Sequence, residues 1–371
     1  MRILQIVLHA RPLGGLEIYG RDIGLSLKRL GHDVTVWGAL EQPQTYTGWE
    51  DIPIRPLAPR NPLLCRFYFR RWRQALVWQL RRAKNQFDRI LIMHPYAALS
   101  AHQAGISRYM TWIYGLEVWG KPPAWVQQGL QHSNPIISIS TYTRDQVKKY
   151  LPTSHIAILR PAVDTQRFTP TQPLRPPTPP YRLLTVGRLA SLEQYKGHEM
   201  VIRNLAAIHQ RVAAPLEYWI VGDGDDRHRL EQIVRDVNLT NQVKFFGRVS
   251  DQALVSAYQD CDVFVMPSKV EQLPDGTWTG EGFGIVYLEA SACGKPVVGS
   301  NTGGVTDAIE HGVTGFCTDP YSGEDFVNAV TKLLLDTALA QKMGRAGRLR
   351  AERDFSLPAL DRNLEQILRG N

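Results

Sequence analysis

The sequence predicts an α/β protein of two domains, each built on a doubly wound parallel sheet. Short apolar runs with strand character alternate with amphipathic helical runs. One window, TPTQPLRPPTPP at 169–180, breaks that alternation with six prolines, and the alternation then restarts. Prolines at that density fit neither a helix interior nor a central strand, so the window reads as an extended linker. At 371 residues the chain has room for two domains of ordinary size.

The first domain is placed at 1–168. RILQIVL (2–8) reads as a strand and LEIYGRDIGLSLKRLG (16–31) as a helix closed by Gly31. HDVTVWG (32–38), DRILIMHP (88–95), YMTWIYG (109–115) and PIISIS (135–140) follow as strands. The second domain is placed at 181–354. Its strands are YRLLTVG (181–187), LEYWIVG (216–222), QVKFFG (242–247), DVFVMPS (262–268), KPVVGS (295–300) and TGFCTD (314–319). A last helix, 355–371, is expected to dock on one of the two domains, with the first as the candidate. In open parallel sheets ligands bind beyond the carboxyl ends of the strands.

Composition narrows the class. The four cysteines (Cys65, Cys261, Cys293, Cys317) form no CxxC pair, which argues against a zinc site or a disulfide framework. No signal-peptide pattern and no run of eighteen apolar residues is read, so a cytoplasmic protein is expected. The net charge of +8 is uneven, with 22 Lys+Arg against 10 Asp+Glu over 1–168 and a net −4 over the rest. The first half is therefore expected to meet something anionic. Its densest stretch, RFYFRRWRQALVWQLRRAK at 66–84, gives as a helix an aromatic side edged by guanidinium groups. Such a surface suits anionic lipid headgroups, at the inner face of the cytoplasmic membrane, and it equally suits packing on a sheet with a solvated basic face. No nucleic-acid module accompanies the charge, and no nucleic-acid partner is expected.

The residues that carry chemistry lie at strand ends. In EGFGIVYLEASACGKPVV (281–298) Glu281 precedes a helix start at Gly284, and Glu289 lies on the following turns. Free N–H groups at Gly284 and Ile285 make a place for a diphosphate, and the carboxylates can accept hydrogen bonds from sugar and ribose hydroxyls. Two glutamates at this spacing, taken alone, also fit a plain helix surface. GRLASLEQYKGH (187–198) adds Arg188 and Lys196 at another strand end, where they suit a leaving phosphate or a merely solvated loop. HARPLGGLEIYG (9–20) puts Gly14 and Gly15 between a strand and a helix, as a close-approach loop or a simple tight turn. GDGDD (222–226) contains a DxD pattern, but between a strand and a helix its acids suit a turn and an N-cap, so no metal site is read there. His9 and His94 stand near strand ends and could line an acceptor site or be structural.

Along nearly its whole length the chain resembles family 4 of the retaining glycosyltransferases. The resemblance is carried in the family's order by GGLEIYGRDIGLSLKRLGHDVTV, RPAVDTQRFTP, VGRL with YKGH, IVGDGDDRHRLEQI, VKFFGRVS, CDVFVMPS, EGFGIVYLEASACGKPVVGSNTGGVTDAI and HGVTGF. It implies the GT-B fold of two facing Rossmann-like domains, a nucleotide-sugar donor bound by the second domain and an acceptor by the first. It implies Arg188 and Lys196 on the donor diphosphate, Glu281 on the transferred sugar and Glu289 on the ribose. Gly14, Gly15, Gly282, Phe283, Gly284 and Ile285 would lie against phosphates and sugar, and Arg248 and Val249 near the base. The wording is closest to bacterial GDP-mannose-dependent phosphatidylinositol mannosyltransferases. The implied reaction moves a hexose, mannose or glucose, to a lipid-linked or glycan acceptor with no metal and no cofactor besides the donor. Two departures stand out, Tyr114 where many members carry a histidine near the donor sugar, and a longer stretch between Arg188 and Lys196.

Three other readings compete. A dinucleotide-dependent dehydrogenase lacks its GxGxxG here, because the glycines at 222 and 224 have no third partner. An epimerase or a glycan phosphorylase would share the architecture. A non-catalytic nucleotide-sugar-binding partner would share the site, and turnover with any acceptor separates it from an enzyme.

Overall fold

The computed structural model describes residues 1–11, 14–42, 46, 48–171 and 175–370. The chain folds as two units, Met1–Ala162 with Leu357–Asn371, and Val163–Ser356. The first unit thus ends ahead of the proline-rich window. Val163 already pairs with Ser356 and donates its N–H to the Phe355 carbonyl. Arg175 is likewise pinned within the second unit by the buried Asp262 carboxylate at 2.8 Å. Residues 172–174 of the expected linker lie outside the described residues.

In the first unit seven strands form one parallel sheet. They are β1 (Arg2–Val7), β2 (Asp33–Gly38), β3 (Ile54–Pro56), β4 (Arg89–Ile92), β5 (Tyr109–Ile113), β6 (Ile136–Ser138) and β7 (Ile156–Ile158), in the order β3-β2-β1-β4-β5-β6-β7. Ile3 to Val7 are all buried, as expected of a strand covered on both faces. Leu4, Ile6, Trp37, Ile90 and Ile92 pack with Tyr68, Leu76 and Leu80 of the helix Pro62–Ala83, each leucine contributing about 2 kcal/mol by leaving water. That helix starts earlier than its basic stretch suggests. Asn61 accepts from the Leu63 N–H at 3.0 Å and Pro62 opens the first turn, while Arg71 (φ −129°, ψ 23°) kinks the middle. The helix Gly15–Arg29 buries Tyr19, Ile23 and Leu27. The closing helix Leu357–Arg369 packs against it, with a two-pronged Arg29–Asp361 pair at 2.8 Å.

The second unit holds a six-stranded parallel sheet and a two-stranded hairpin. Its strands are β8 (Tyr181–Val186), β9 (Leu216–Val221), β10 (Val243–Gly247), β11 (Val263–Val265), β12 (Glu271–Gln272), β13 (Trp278–Thr279), β14 (Val297–Ser300) and β15 (Gly315–Thr318). The sheet runs β10-β9-β8-β11-β14-β15, and β12 pairs antiparallel with β13. Leu183, Tyr218, Val263, Val265 and Val298 meet Val201, Leu205, Phe326 and Val330 from the covering helices. Strand order turns back between β1 and β4 in the first unit and between β8 and β11 in the second. Those two switch points are where a ligand crevice opens in such sheets.

Candidate active site

Within the second unit the chain just past β8 and the loop before the helix Ile285–Ala292 converge at the switch point. Gly187 and Arg188 follow β8 directly. Residues Ser191–Lys196 form a tight 3-10 turn, and the stem of Lys196 lies back over Gly187, within 3.2 Å of where a Cβ there would stand. Arg188 is 62% exposed at its side chain and Lys196 only 11%. Both donate to one carboxylate, that of Glu193.

Glu281 approaches the same group. Its carboxyl is raised above its ordinary range, first by burial, although Lys196, Arg188 and a hydrogen bond from the Phe283 N–H pull the other way. The loop that carries it is clamped from behind. The Gly304 N–H donates to the Glu281 carbonyl at 3.0 Å, and a Cβ on Gly304 would lie 1.8 Å from the Gly282 carbonyl oxygen. Only glycine fits there. Gly284 (φ +88°) then turns the chain into the helix as an N-cap with no side chain to offer, so the first N–H groups have no side-chain cap. A cationic pair, a carboxylate and an uncapped helix start thus share one end of one sheet. Together they can hold a diphosphate while a hydroxylated ring rests on the carboxylate.

Glu289 faces the helix Asp251–Asp260, where the Tyr258 hydroxyl donates to it at 2.6 Å. Burial raises its carboxyl above the usual range against that hydrogen bond. Phe283 is buried and Ile285 half-buried. Arg248 is exposed and Val249 half-buried just after β10, two strands away from β8.

Gly14, Gly15 and Tyr114 belong to the first unit. Gly14 is the extended N-cap of the helix Gly15–Arg29 and makes no side-chain cap, and among the described residues a Cβ on it would touch Glu17 Oε2 at an ordinary 3.5 Å. Tyr114 is buried and donates its hydroxyl to the Met93 carbonyl at 2.7 Å, which leaves the oxygen able only to accept. Beside it His94 accepts the Tyr96 N–H at Nδ1, 3.3 Å away, and burial pushes its pKa down to about 4. It is therefore a neutral imidazole with Nε2 as donor at neutral pH. His9 lies 3.4 Å from the buried carboxylate of Glu41.

The acidic turn 222–226 works differently from its expected cap. Asp226 does precede the helix Arg227–Asp236, but its carboxylate accepts from Gln194 at 3.0 Å and Arg229 at 2.7 Å rather than capping the helix. Asp225 holds the N–H and hydroxyl of Ser191 at 2.8 and 2.7 Å. Glu193 and Tyr258 escaped sequence reading. Glu193 carried a signal, an acid between two cations in one loop, whereas Tyr258 meets Glu289 only through the fold.

Two α/β units of this strand order are the architecture of the GT-B glycosyltransferases. The description "Glycosyltransferase Family 4" matches residues 13–167, and "Glycosyl transferases group 1" matches 168–350. The GDP-mannose-dependent alpha-(1-6)-phosphatidylinositol monomannoside mannosyltransferase of Mycobacterium tuberculosis is 33% identical over 288 residues, which span 75% of this chain and 74% of that one. The chain belongs to this glycosyltransferase family. Among solved structures, sucrose-phosphate synthase from Thermosynechococcus elongatus superposes with a TM-score of 0.78 at 21% identity, covering 100% of this chain and 98% of that one. Anabaena Alr3699/HepE in complex with UDP and glucose gives 0.75 at 18% identity, covering all of both chains.

Proposed function

We propose that the protein transfers a hexose, mannose or glucose, from a nucleotide-sugar to a lipid-linked or glycan acceptor of the cell envelope, retaining the anomeric configuration and using no metal ion. The observation that carries this is the grouping of Arg188 and Lys196 with Glu281 past β8. As the bond from the anomeric carbon to the phosphate oxygen breaks, negative charge grows on the diphosphate, and two cations aimed there lower the barrier. The acceptor hydroxyl attacks from the side the diphosphate leaves, and its proton passes to the departing phosphate oxygen. Glu281 holds the sugar's hydroxyls, and Glu289, oriented by Tyr258, the ribose. Metal independence is supported by the acidic turn, where Asp225 and Asp226 are engaged by Ser191, Gln194 and Arg229. The mannosyltransferase name of the Mycobacterium tuberculosis relative favours GDP-mannose and a phosphoinositide-like acceptor.

A thermal-shift panel of GDP, UDP, ADP and their hexose conjugates, run with EDTA, tests the donor site. A ligand at a hundred times its dissociation constant adds about 2.7 kcal/mol of stability. The expected result is one nucleotide series that stabilises the wild type with or without EDTA and fails on Glu289→Gln, which keeps an acceptor for Tyr258. No response to any nucleotide would overturn the reading.

The acceptor side is proposed to sit at an anionic lipid surface. Among the described residues no helix is long and apolar enough to cross a membrane. The helix Pro62–Ala83 exposes Leu63, Leu64, Phe67 and Phe69 beside the exposed Arg66, Arg70 and Arg71. Arg73 instead stacks on Trp125, 4.0 Å from the ring centre. Binding to vesicles containing phosphatidylglycerol is expected to weaken with salt. It should fall about a hundredfold in the triple variant Arg66→Gln, Arg70→Gln, Arg71→Gln, at about 1 kcal/mol per cation. Equal sedimentation of both proteins with these vesicles would refute the surface.

A further inference from the structure

Among the described residues Glu193 is the one carboxylate to which both Arg188 and Lys196 give hydrogen bonds, and neither the family relationship nor the sugar chemistry accounts for it. It is not a stray surface acid. Its side chain is 14% exposed, and the backbone departs from helical angles at this residue alone within the turn (φ −116°, ψ 25°). The turn is fastened on either side, Ser191 by Asp225 and Gln194 by Asp226. The acidic turn 222–226 thus finds its use in fixing the loop that delivers Glu193.

We infer that Glu193 is an internal stand-in for the donor diphosphate: its carboxylate holds Arg188 and Lys196 while the site is empty, yields them to the nucleotide-sugar, and recaptures them to expel the nucleoside diphosphate product. This rests on the donor reading proposed above. The exchange is physically balanced. A tethered carboxylate competes at high effective concentration but offers one charge and two oxygens. A diphosphate brings more charge and more acceptor oxygens, so it wins at working concentration yet is held less tightly than bare cations would hold it. Lys196 stays pre-positioned throughout, because its ammonium is never without a partner. Glu281, whose carboxyl the Glu193 charge helps to raise, meets a similar anionic neighbour before and after the exchange.

Calorimetric titration with inorganic pyrophosphate, GDP and UDP tests this on the wild type, Glu193→Gln, Asp225→Asn, Arg188→Ala and Lys196→Ala. Glu193→Gln is expected to bind pyrophosphate and the preferred nucleoside diphosphate about tenfold more tightly, the effect of removing two partly screened ion pairs. In turnover the same variant should show a lower donor KM, stronger product inhibition and a lower kcat where release limits the rate. Asp225→Asn loosens the loop without touching either cation and should shift affinity the same way, which covers the case of a poorly folding Glu193 variant. A merely structural Glu193 would weaken binding instead. Unchanged or weaker binding in both Glu193→Gln and Asp225→Asn, with binding lost in Arg188→Ala, overturns the stand-in and leaves the donor site intact. Undiminished binding in Arg188→Ala and Lys196→Ala overturns both.

Discussion

Arg188→Ala is expected to lower kcat/KM for the donor about 10²–10³-fold, the scale of removing one pre-aimed group from a developing negative charge. The fold should barely notice. The side chain is 62% exposed, and Glu193 keeps its second partner, Lys196, so the midpoint of thermal unfolding should move by less than about 2 °C. Lysine at 188 should recover only part of the loss, since a point charge cannot grip two phosphate oxygens at once as a guanidinium fork does. Steady-state kinetics on folded variants decide the matter, and near-normal turnover in Arg188→Ala would sink the donor-site assignment.

Glu281→Gln is expected to do two opposite things, abolishing most turnover while making the ligand-free protein more stable at neutral pH. Burial raises the folded-state pKa of Glu281 above its unfolded value near 4.5. The protonated form is therefore the one the fold favours. Its contribution to stability is complete below the unfolded pKa and is lost as pH rises through the raised folded value. Once ionised, the carboxylate sits in a site that resists its charge, and glutamine relieves that. A gain of about 2–4 °C corresponds to ~1 kcal/mol in a domain of this size, and it should vanish as both proteins are taken toward pH 4. A variant no more stable than wild type at pH 7.5 would show that Lys196 and Arg188 already offset the burial. The enzyme would then store no strain at this residue.

Much of the architecture was readable because periodicity reports burial. The strands at Arg2–Val7, Tyr109–Ile113 and Tyr181–Val186 are mostly apolar and mostly buried, and their expected bounds lie within two residues of the observed ones. Ile54–Pro56 and Ile156–Ile158 were not found. They are three-residue edge strands, mostly half-buried, and too short to show a pattern. The site divides in the same way. Arg188, Lys196 and Glu281 stand out in the sequence as charges beside glycines at strand ends, and the structure brings them together past β8. The hydrogen bond from Tyr258 to Glu289 spans 31 residues, and no local spacing encodes it. The hydroxyl of Tyr114 is likewise committed to a carbonyl 21 residues upstream, which a motif cannot reveal.

The closing helix Leu357–Arg369 carries a consequence for how the molecule is made. Leu360, Leu364 and Leu368 are buried in the unit that begins at Met1, and Asp361 pairs with Arg29. A ribosome therefore synthesises the whole of Val163–Ser356 before the earlier unit receives its last wall, so the part translated first is the part completed last. A stop codon just ahead of Leu357 would uncover the apolar side of the helix Gly15–Arg29, far earlier in the chain.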